Sequence, residues 1–213
     1  MAKEGAPIIV VFGAMAVAIT IGAVINPRPL FGVFTLIGWS LVFFSIYFFR
    51  DPERHVPTEP NIIVAPADGK IILLDQTTEP IFFGTRVYRI SIFMSVFDVH
   101  VNRIPVEGRV TYLKYNKGKF LPAYQSAAAY ENEQTLIGIE NEKIKLLFKQ
   151  IAGILAKRIV CNLRNGWTVQ RGQRFGMIKF GSRIDLFLPL EVQLQVQLNQ
   201  KVRAGETIIG RYE

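Results

Sequence analysis

Between Pro7 and Phe49 the chain carries a single charge, Arg28. The stretch divides into two apolar runs, PIIVVFGAMAVAITIGAVI (7–25) and LFGVFTLIGWSLVFFSIYFF (30–49), separated by Asn26-Pro27-Arg28-Pro29. Each run is about 20 residues long, the length at which a helix crosses the hydrocarbon core of a bilayer. The spacer is built of turn formers. The expectation is a membrane-anchoring helical hairpin over residues 1–49. A cleaved signal peptide fits less well, because a second long apolar run follows at once. A buried soluble hairpin is the plainer alternative.

Lys3 precedes the first run, Arg50 and Arg54 follow the second, and the turn between them holds only Arg28. The positive-inside rule therefore places both ends, and with them the rest of the chain, in the cytoplasm at the cell membrane. A net charge of +8 suits a domain resting on an anionic leaflet. Nucleic acid is not expected as a partner, since no Lys/Arg-rich run or base-stacking motif appears. Cys161 is the only cysteine, which excludes an intrachain disulfide and a cysteine-based zinc cluster and agrees with a reducing compartment. No metal site is expected.

Residues 50–61, RDPERHVPTEPN, form a polar, proline-bearing linker, and beyond it the pattern becomes short and β-like. IIVAPADGKIILL (62–74) holds two apolar runs around Pro-Ala-Asp-Gly, a turn signal. RVYRISIFMSVFDVHVNRIPV (86–106) is rich in Val, Ile and Phe. Residues 143–163 could be strand or helix, with QIAGILAKRIV at helical spacing. LPAYQSAAAYENEQ (121–134) reads as a helix that Pro122 can open. VQRGQRFG (169–176) and VRAGETIIG (202–210) share Val-x-x-Gly-Gln/Glu-x-Phe/Ile and suggest two similar hairpins in one compact β-structure. The fold class expected for 62–213 is mostly β (α+β), a compact sandwich or barrel.

The chain has two histidines. His55 lies in the linker. His100 lies in FDVHVNR, where strand alternation would put Asp98, His100 and Asn102 on one polar face. A carboxylate can fix the tautomer of a histidine and stabilise its cation; the bland alternative is an exposed edge-strand face. Asp68, in PADGK, is by itself an ordinary hairpin turn. Spacing does not choose between Asp68 and Asp98 as the partner of His100.

MIKFGSRIDLFLP (177–189) reads as an apolar strand broken by Gly181-Ser182-Arg183. Glycine weakens a strand interior, so this is either a bulge or a peptide bond exposed for chemistry. A serine hydroxyl needs a base before it attacks anything, and His100 is the available one. The Gly-x-Ser-x-Gly elbow of lipid esterases is absent. The other use is internal: the Ser182 hydroxyl attacks the unhindered Gly181 carbonyl, and elimination and hydrolysis leave a pyruvoyl group, an electron sink comparable to pyridoxal phosphate.

Several separated segments then agree with one family. FFRDPER, VAPADGKI, ISIFMSVFDVHVNRIPVEGRV, YNKGKFLPAY, ENEQT, QIAGILAKRIVCNL and RGQRFGMIKFGSRIDLFLP, in order from about residue 48 onward, closely resemble the phosphatidylserine decarboxylase proenzymes in their short form. The resemblance implies self-cleavage between Gly181 and Ser182, giving a β chain 1–181 and an α chain from 182 whose pyruvoyl group, derived from Ser182, is the cofactor. It implies a Schiff base with the amine of phosphatidylserine, loss of carbon dioxide and release of phosphatidylethanolamine. By position, Asp68 matches an aspartate used in self-cleavage and His100 a histidine assigned to decarboxylation. Longer relatives carry a second histidine three positions after His100; here it is Arg103, which cannot be a general base at neutral pH. Either His100 serves both steps or cleavage leans on Asp68 and strain. Arg103 and Asp98 are candidate substrate ligands, Arg103 through a phosphate or carboxylate. The expected partners are the membrane lipid, the two chains of one proenzyme and a second copy in a homo-oligomer. The rivals are a non-catalytic membrane-tethered β adaptor and a serine hydrolase acting on lipid esters.

Overall fold

The computed structural model describes residues 1–154, 159–179 and 182–213. The chain divides after Pro52 into an N-terminal unit, Met1–Pro52, and a larger unit, Glu53–Glu213.

The N-terminal unit is a pair of helices, α1 (Ala6–Ile25) and α2 (Pro29–Phe48). Each has a proline in its first turn, where a helix leaves N–H donors unused in any case. The helices meet through small residues: Ala16 is fully buried, and a Cβ on Gly38 would stand 3.4 Å from the Ala16 Cα. Hydroxyls do not compete with the helix for water. Thr20, Thr35, Ser40 and Ser45 each donate to the carbonyl four residues back at 2.7–2.8 Å, as an apolar solvent requires. Val10, Val17, Val24, Leu36 and Phe43 face outward. Both helices are long and apolar enough to cross a membrane, the length and composition expected of a membrane-anchoring hairpin.

The larger unit is mostly β, as expected. Its elements are β1 (Ile62–Val64), β2 (Gly69–Glu79), β3 (Thr85–Met94), β4 (Val101–Arg103), β5 (Gly108–Asn116), the one-turn helix α3 (Ala128–Glu131), β6 (Gln134–Glu140), β7 (Lys145–Ile151), β8 (Ile159–Cys161), β9 (Thr168–Val169), β10 (Arg174–Ile178), β11 (Ser182–Leu188), β12 (Gln193–Leu194), β13 (Lys201–Val202) and β14 (Ile208–Arg211). A curled eight-stranded sheet has the order β13-β2-β3-β11-β7-β6-β5-β9, and two small sheets have the orders β1-β14-β12 and β4-β10-β8. Ile90 and Ile92 of β3, Phe148 of β7, and Ile184 and Leu186 of β11 pack one face of the large sheet onto the core with Ile63, Ile104 and Phe175.

These orders are self-similar. Exchanging β1, β2, β3, β11, β12, β13 and β14 for β4, β5, β6, β7, β8, β9 and β10 maps each sheet onto its counterpart and reverses the large one. The hydrogen bonds repeat too. Val64 N donates to Pro105 O and Arg103 N to Pro66 O, both at 2.9 Å, and Gly205 N donates to Ala65 O and Gly172 N to Ile104 O, both at 2.8 Å. Val202 pairs with Gly69 as Val169 pairs with Gly108. Ala65-Pro66-Ala67-Asp68-Gly69 and Ile104-Pro105-Val106-Glu107-Gly108 are the matching corners, and at each glycine a Cβ would strike a carbonyl of the neighbouring strand, Phe93 O at 2.2 Å or Glu140 O at 2.5 Å. The second copy is nested in the first. Where β6 returns to β7 through a turn closed by the Asn141 side chain, β3 returns to β11 only after the whole second copy has intervened.

Several expectations are corrected. The two glycine motifs do form strand, turn and strand, with Gly172 and Gly205 both at φ +76°. They are not hairpins, since β9 and β13 join the large sheet and β10 and β14 the small ones. Pro-Ala-Asp-Gly is not a hairpin turn either, because β1 pairs with β14 and β2 with β3 and β13. Residues 177–189 are not one strand: β10 and β11 lie in different sheets. The helix expected over 121–134 shrinks to α3, because Asn132 bonds both the N–H and the carbonyl of Leu121 at 2.8 Å. A continuous helix would hold those residues roughly 16 Å apart. Within 143–163 the described ends are the strands β7 and β8. Of the expected linker, Arg54 and Glu59 are tied into the larger unit through Asp68 and Arg211.

Candidate active site

Ser182 is the first residue of β11, fully buried, and paired with Met94 of β3. By alternation its side chain shares the inner face with Ile184 and Leu186, and its hydroxyl lies 3.8 Å from the Met94 sulfur. Asn102 of β4 reaches the same sulfur at 3.7 Å. The Asn102 Oδ1 in turn accepts from Gln150 Nε2 at 2.9 Å. Gln150 is fully buried on β7, and its Oε1 has no hydrogen-bond partner among the described residues. Met94 and Gln150 were not legible as site residues: each is one inward position on an apolar strand, and only the register brings them to Ser182. The neighbouring Gly181 lies outside the described residues.

Arg183 points to the opposite face. Its guanidinium donates to both carboxylate oxygens of Asp185, and both residues are buried. A charge at this position in an apolar strand is thus neutralised two residues along the same outer face.

His100 is fully buried, and its Nδ1–H donates to the backbone carbonyl of Asp98 at 2.9 Å. In the neutral ring that bond selects the tautomer whose lone pair is on Nε2. The expected polar strand face of Asp98, His100 and Asn102 does not form. Asp98 sits in the turn before β4, where its carboxylate accepts from Ser95 N and Ser95 Oγ, both at 2.8 Å. Val99 and Val101 are buried as well, so no alternation of polar and apolar faces survives.

Asp68 accepts from Arg54 at 2.9 and 2.7 Å through its two oxygens, and from Ala204 N at 2.8 Å. Burial pushes its carboxyl above the ordinary value, against the pull of the Ala204 N–H and of Arg54. A continuous row of paired residues, Lys70–Phe93–Arg183–Ile151–Gln134–Asn116, crosses the large sheet. Asp68 lies two residues before Lys70 and Ser182 one before Arg183, so each is at the start of a strand on the same edge, the two strands being two spacings or roughly 10 Å apart. Arg103 is buried, donates to Gly172 O at 3.0 Å and lays its stem against Gly205. It clamps the two glycine turns together. His55 is exposed, and its backbone N–H is held by Glu206.

Fold and site together define a β domain in which a buried serine opens a central strand, at the point where the chain re-enters its own first copy. Residues 41–210 match the family described as phosphatidylserine decarboxylase. The chain is 53% identical over 173 residues, 81% of each chain, to a phosphatidylserine decarboxylase proenzyme of Chlorobium phaeobacteroides. Proteins of the same description from Chlorobium limicola and Geobacter metallireducens are each 43% identical, over 98% of both chains in the first case and over 99% of this chain and 95% of the relative in the second. The chain belongs to the phosphatidylserine decarboxylase family.

Proposed function

We propose that the chain is a self-processing carboxy-lyase that converts phosphatidylserine to phosphatidylethanolamine and carbon dioxide at the cytoplasmic face of the cell membrane. In processing, the Ser182 hydroxyl attacks the Gly181 carbonyl and moves the acyl group from nitrogen to oxygen. Elimination frees the Gly181 carboxylate, and hydrolysis of the remaining dehydroalanine releases ammonia and leaves a pyruvoyl group at 182. When formed, that group supplies an electrophilic carbonyl that captures the substrate amine and takes up the electrons left by departing carbon dioxide.

The surroundings of Ser182 fit a small uncharged group of this kind. The position is closed to solvent, its backbone is laddered to β3, and its side chain meets a methionine sulfur rather than a charge. Asn102 and Gln150 supply polar atoms beside it without ionising. His100 Nε2 carries a proton and returns it to the carbon that loses carbon dioxide. Asp68, close to the same edge and easily protonated, is the acid–base group for self-cleavage. Arg103 and Asp98, the candidate headgroup ligands, are engaged by Gly172 and Ser95 and shape the loops around the site instead.

The observation that carries the reading is the buried Ser182 at the head of a central strand, in a chain of this family. The test is the intact mass of purified protein. Two fragments are expected, 1–181 and 182–213, the smaller lighter by one ammonia than simple hydrolysis gives. A single full-length chain in an active preparation overturns the proposal.

A further inference from the structure

The edge of the large sheet at which Ser182 begins is also where the larger unit exposes a cluster of its large apolar side chains. Phe97 follows β3 by three residues and is 65% exposed; Ile154 follows β7 by three and is 56% exposed. Tyr115 ends β5 beside Asn116, and Phe120 and Tyr124 lie in the segment that follows. Tyr124 is fixed over the edge, its ring edge-on to Phe93 at 6.3 Å between centroids, while the next residue, Gln125, offers its carbonyl to Arg183 at 3.5 Å. Phe97, Tyr124 and Ile154 therefore lie at the edge where β3, β11 and β7 end or begin, and Tyr115 lies at the same edge three strands away on β5. Lys114 and Lys117 are exposed on the same flank.

We infer that this rim is a bilayer-docking surface, seated in the interfacial layer of an anionic membrane independently of the two N-terminal helices. Tyrosine and phenylalanine with flanking lysines are the side chains that settle at the headgroup level, and the lysines complement an anionic leaflet. The inference deepens the lipid reading of the site. Ser182 is fully buried behind the rim, so a headgroup held in a membrane reaches it if the rim sinks to the depth of that headgroup.

The test uses the full chain with Cys161→Ser and a single nitroxide-labelled cysteine at position 124, 154 or 81, in vesicles of phosphatidylcholine and phosphatidylglycerol. Ile81 is exposed in the β2–β3 turn at the opposite end of the strands and serves as the control. Collision with dissolved oxygen and with a water-soluble nickel chelate reports depth. Labels at 124 and 154 are expected about 5–10 Å below the phosphates, favouring oxygen, and the label at 81 in water. Equal depth for all three, or shielding of 124 and 154 from both reagents as a protein contact would give, overturns the inference. Depth is read without turnover, so it stands or falls apart from the decarboxylase proposal. In a second readout, Tyr124→Ser with Ile154→Ser should lower turnover of phosphatidylserine in vesicles about tenfold and leave turnover of dispersed short-chain phosphatidylserine unchanged. Equal losses on both would also overturn it.

Discussion

Asp68 and Arg54 form a two-oxygen ion pair at 2.9 and 2.7 Å inside the larger unit, with only 14% and 8% of their side chains exposed. Burial nevertheless leaves the Asp68 carboxyl above its ordinary value of 3.8. A carboxyl with a raised folded pKa favours the fold in its protonated form, so its contribution is complete below 3.8 and is lost as pH rises through the folded value. Removing Arg54 raises that value further. Arg54→Leu is therefore expected to cost about 3 kcal/mol at pH 8, where a buried carboxylate is left unpaired, and less at pH 5. It should also move the acid limb of self-cleavage to higher pH. Thermal unfolding at the two pH values and the rate of fragment appearance on gels check this. An equal loss at both would mean that Asp68 does not titrate between them.

His100 meets Asp98 through the backbone carbonyl and not through the carboxylate. The two aspartates can therefore be separated by substitution. His100→Ala should reduce decarboxylation at least about 100-fold, the usual worth of a positioned proton carrier. Asp98→Ala removes the bonds to Ser95 and should cost about 1 kcal/mol of stability with activity within about threefold. Asp68→Asn should slow cleavage. Decarboxylation assays and fragment masses on the three variants decide. Normal processing of Asp68→Asn, with loss of it in Asp98→Ala, would reverse the assignment.

The helical pair and the β class were legible because each depends on local pattern: twenty apolar residues in a row, then short alternating runs. The glycine motif at 172 and 205 was legible too, but its partners were not. The matching corners Ala65–Gly69 and Ile104–Gly108 share only a proline, an acid and a glycine, and which strands they join is decided by distant pairings, from Gly108 with Val169 to Ile62 with Arg211. The same holds at the site. Ser182 and His100 stand out as polar residues in apolar runs, whereas Gln150 gains its place only from its register on β7. The polar face read from Asp98 to Asn102 failed because a side-chain bond to Ser95 turns the chain before the strand begins.

Gly172 and Gly84 both have positive φ, +76° and +69°. A Cβ at Gly84 would meet open space, while one at Gly172 would stand 2.3 Å from the Val56 Cγ2. Gly84→Ala should cost about 1 kcal/mol, the strain of a left-handed residue. Gly172→Ala should cost about 2–4 kcal/mol, since it adds overpacking to that strain. Val56→Ala should recover part of the Gly172→Ala loss and none of the Gly84→Ala loss, read as the interaction energy of a double-mutant cycle. Additive effects at 172 and 56 would show that a side chain at 172 does not press on Val56.

Ser182 heads a strand bonded on both sides, to β3 from Met94 to Tyr88 and to β7 from Ile151 to Leu147. Cutting the chain before it removes a single covalent link and none of these bonds. The fragments 1–181 and 182–213 are therefore expected to stay together in mild detergent, migrate as one species by gel filtration, and separate only when urea unfolds the large sheet. Among the described residues Ser182→Ala loses only the weak contact to the Met94 sulfur, so it should remain folded, stay uncut at 24.1 kDa, and show no decarboxylation. Reductive trapping with cyanoborohydride and phosphatidylserine should label the smaller fragment of the wild type alone. Lys149, whose amine burial holds below its ordinary value, is the internal rival, and Lys149→Arg should leave the labelling unchanged. Label on the larger fragment would assign the imine to a lysine and remove Ser182 from the chemistry.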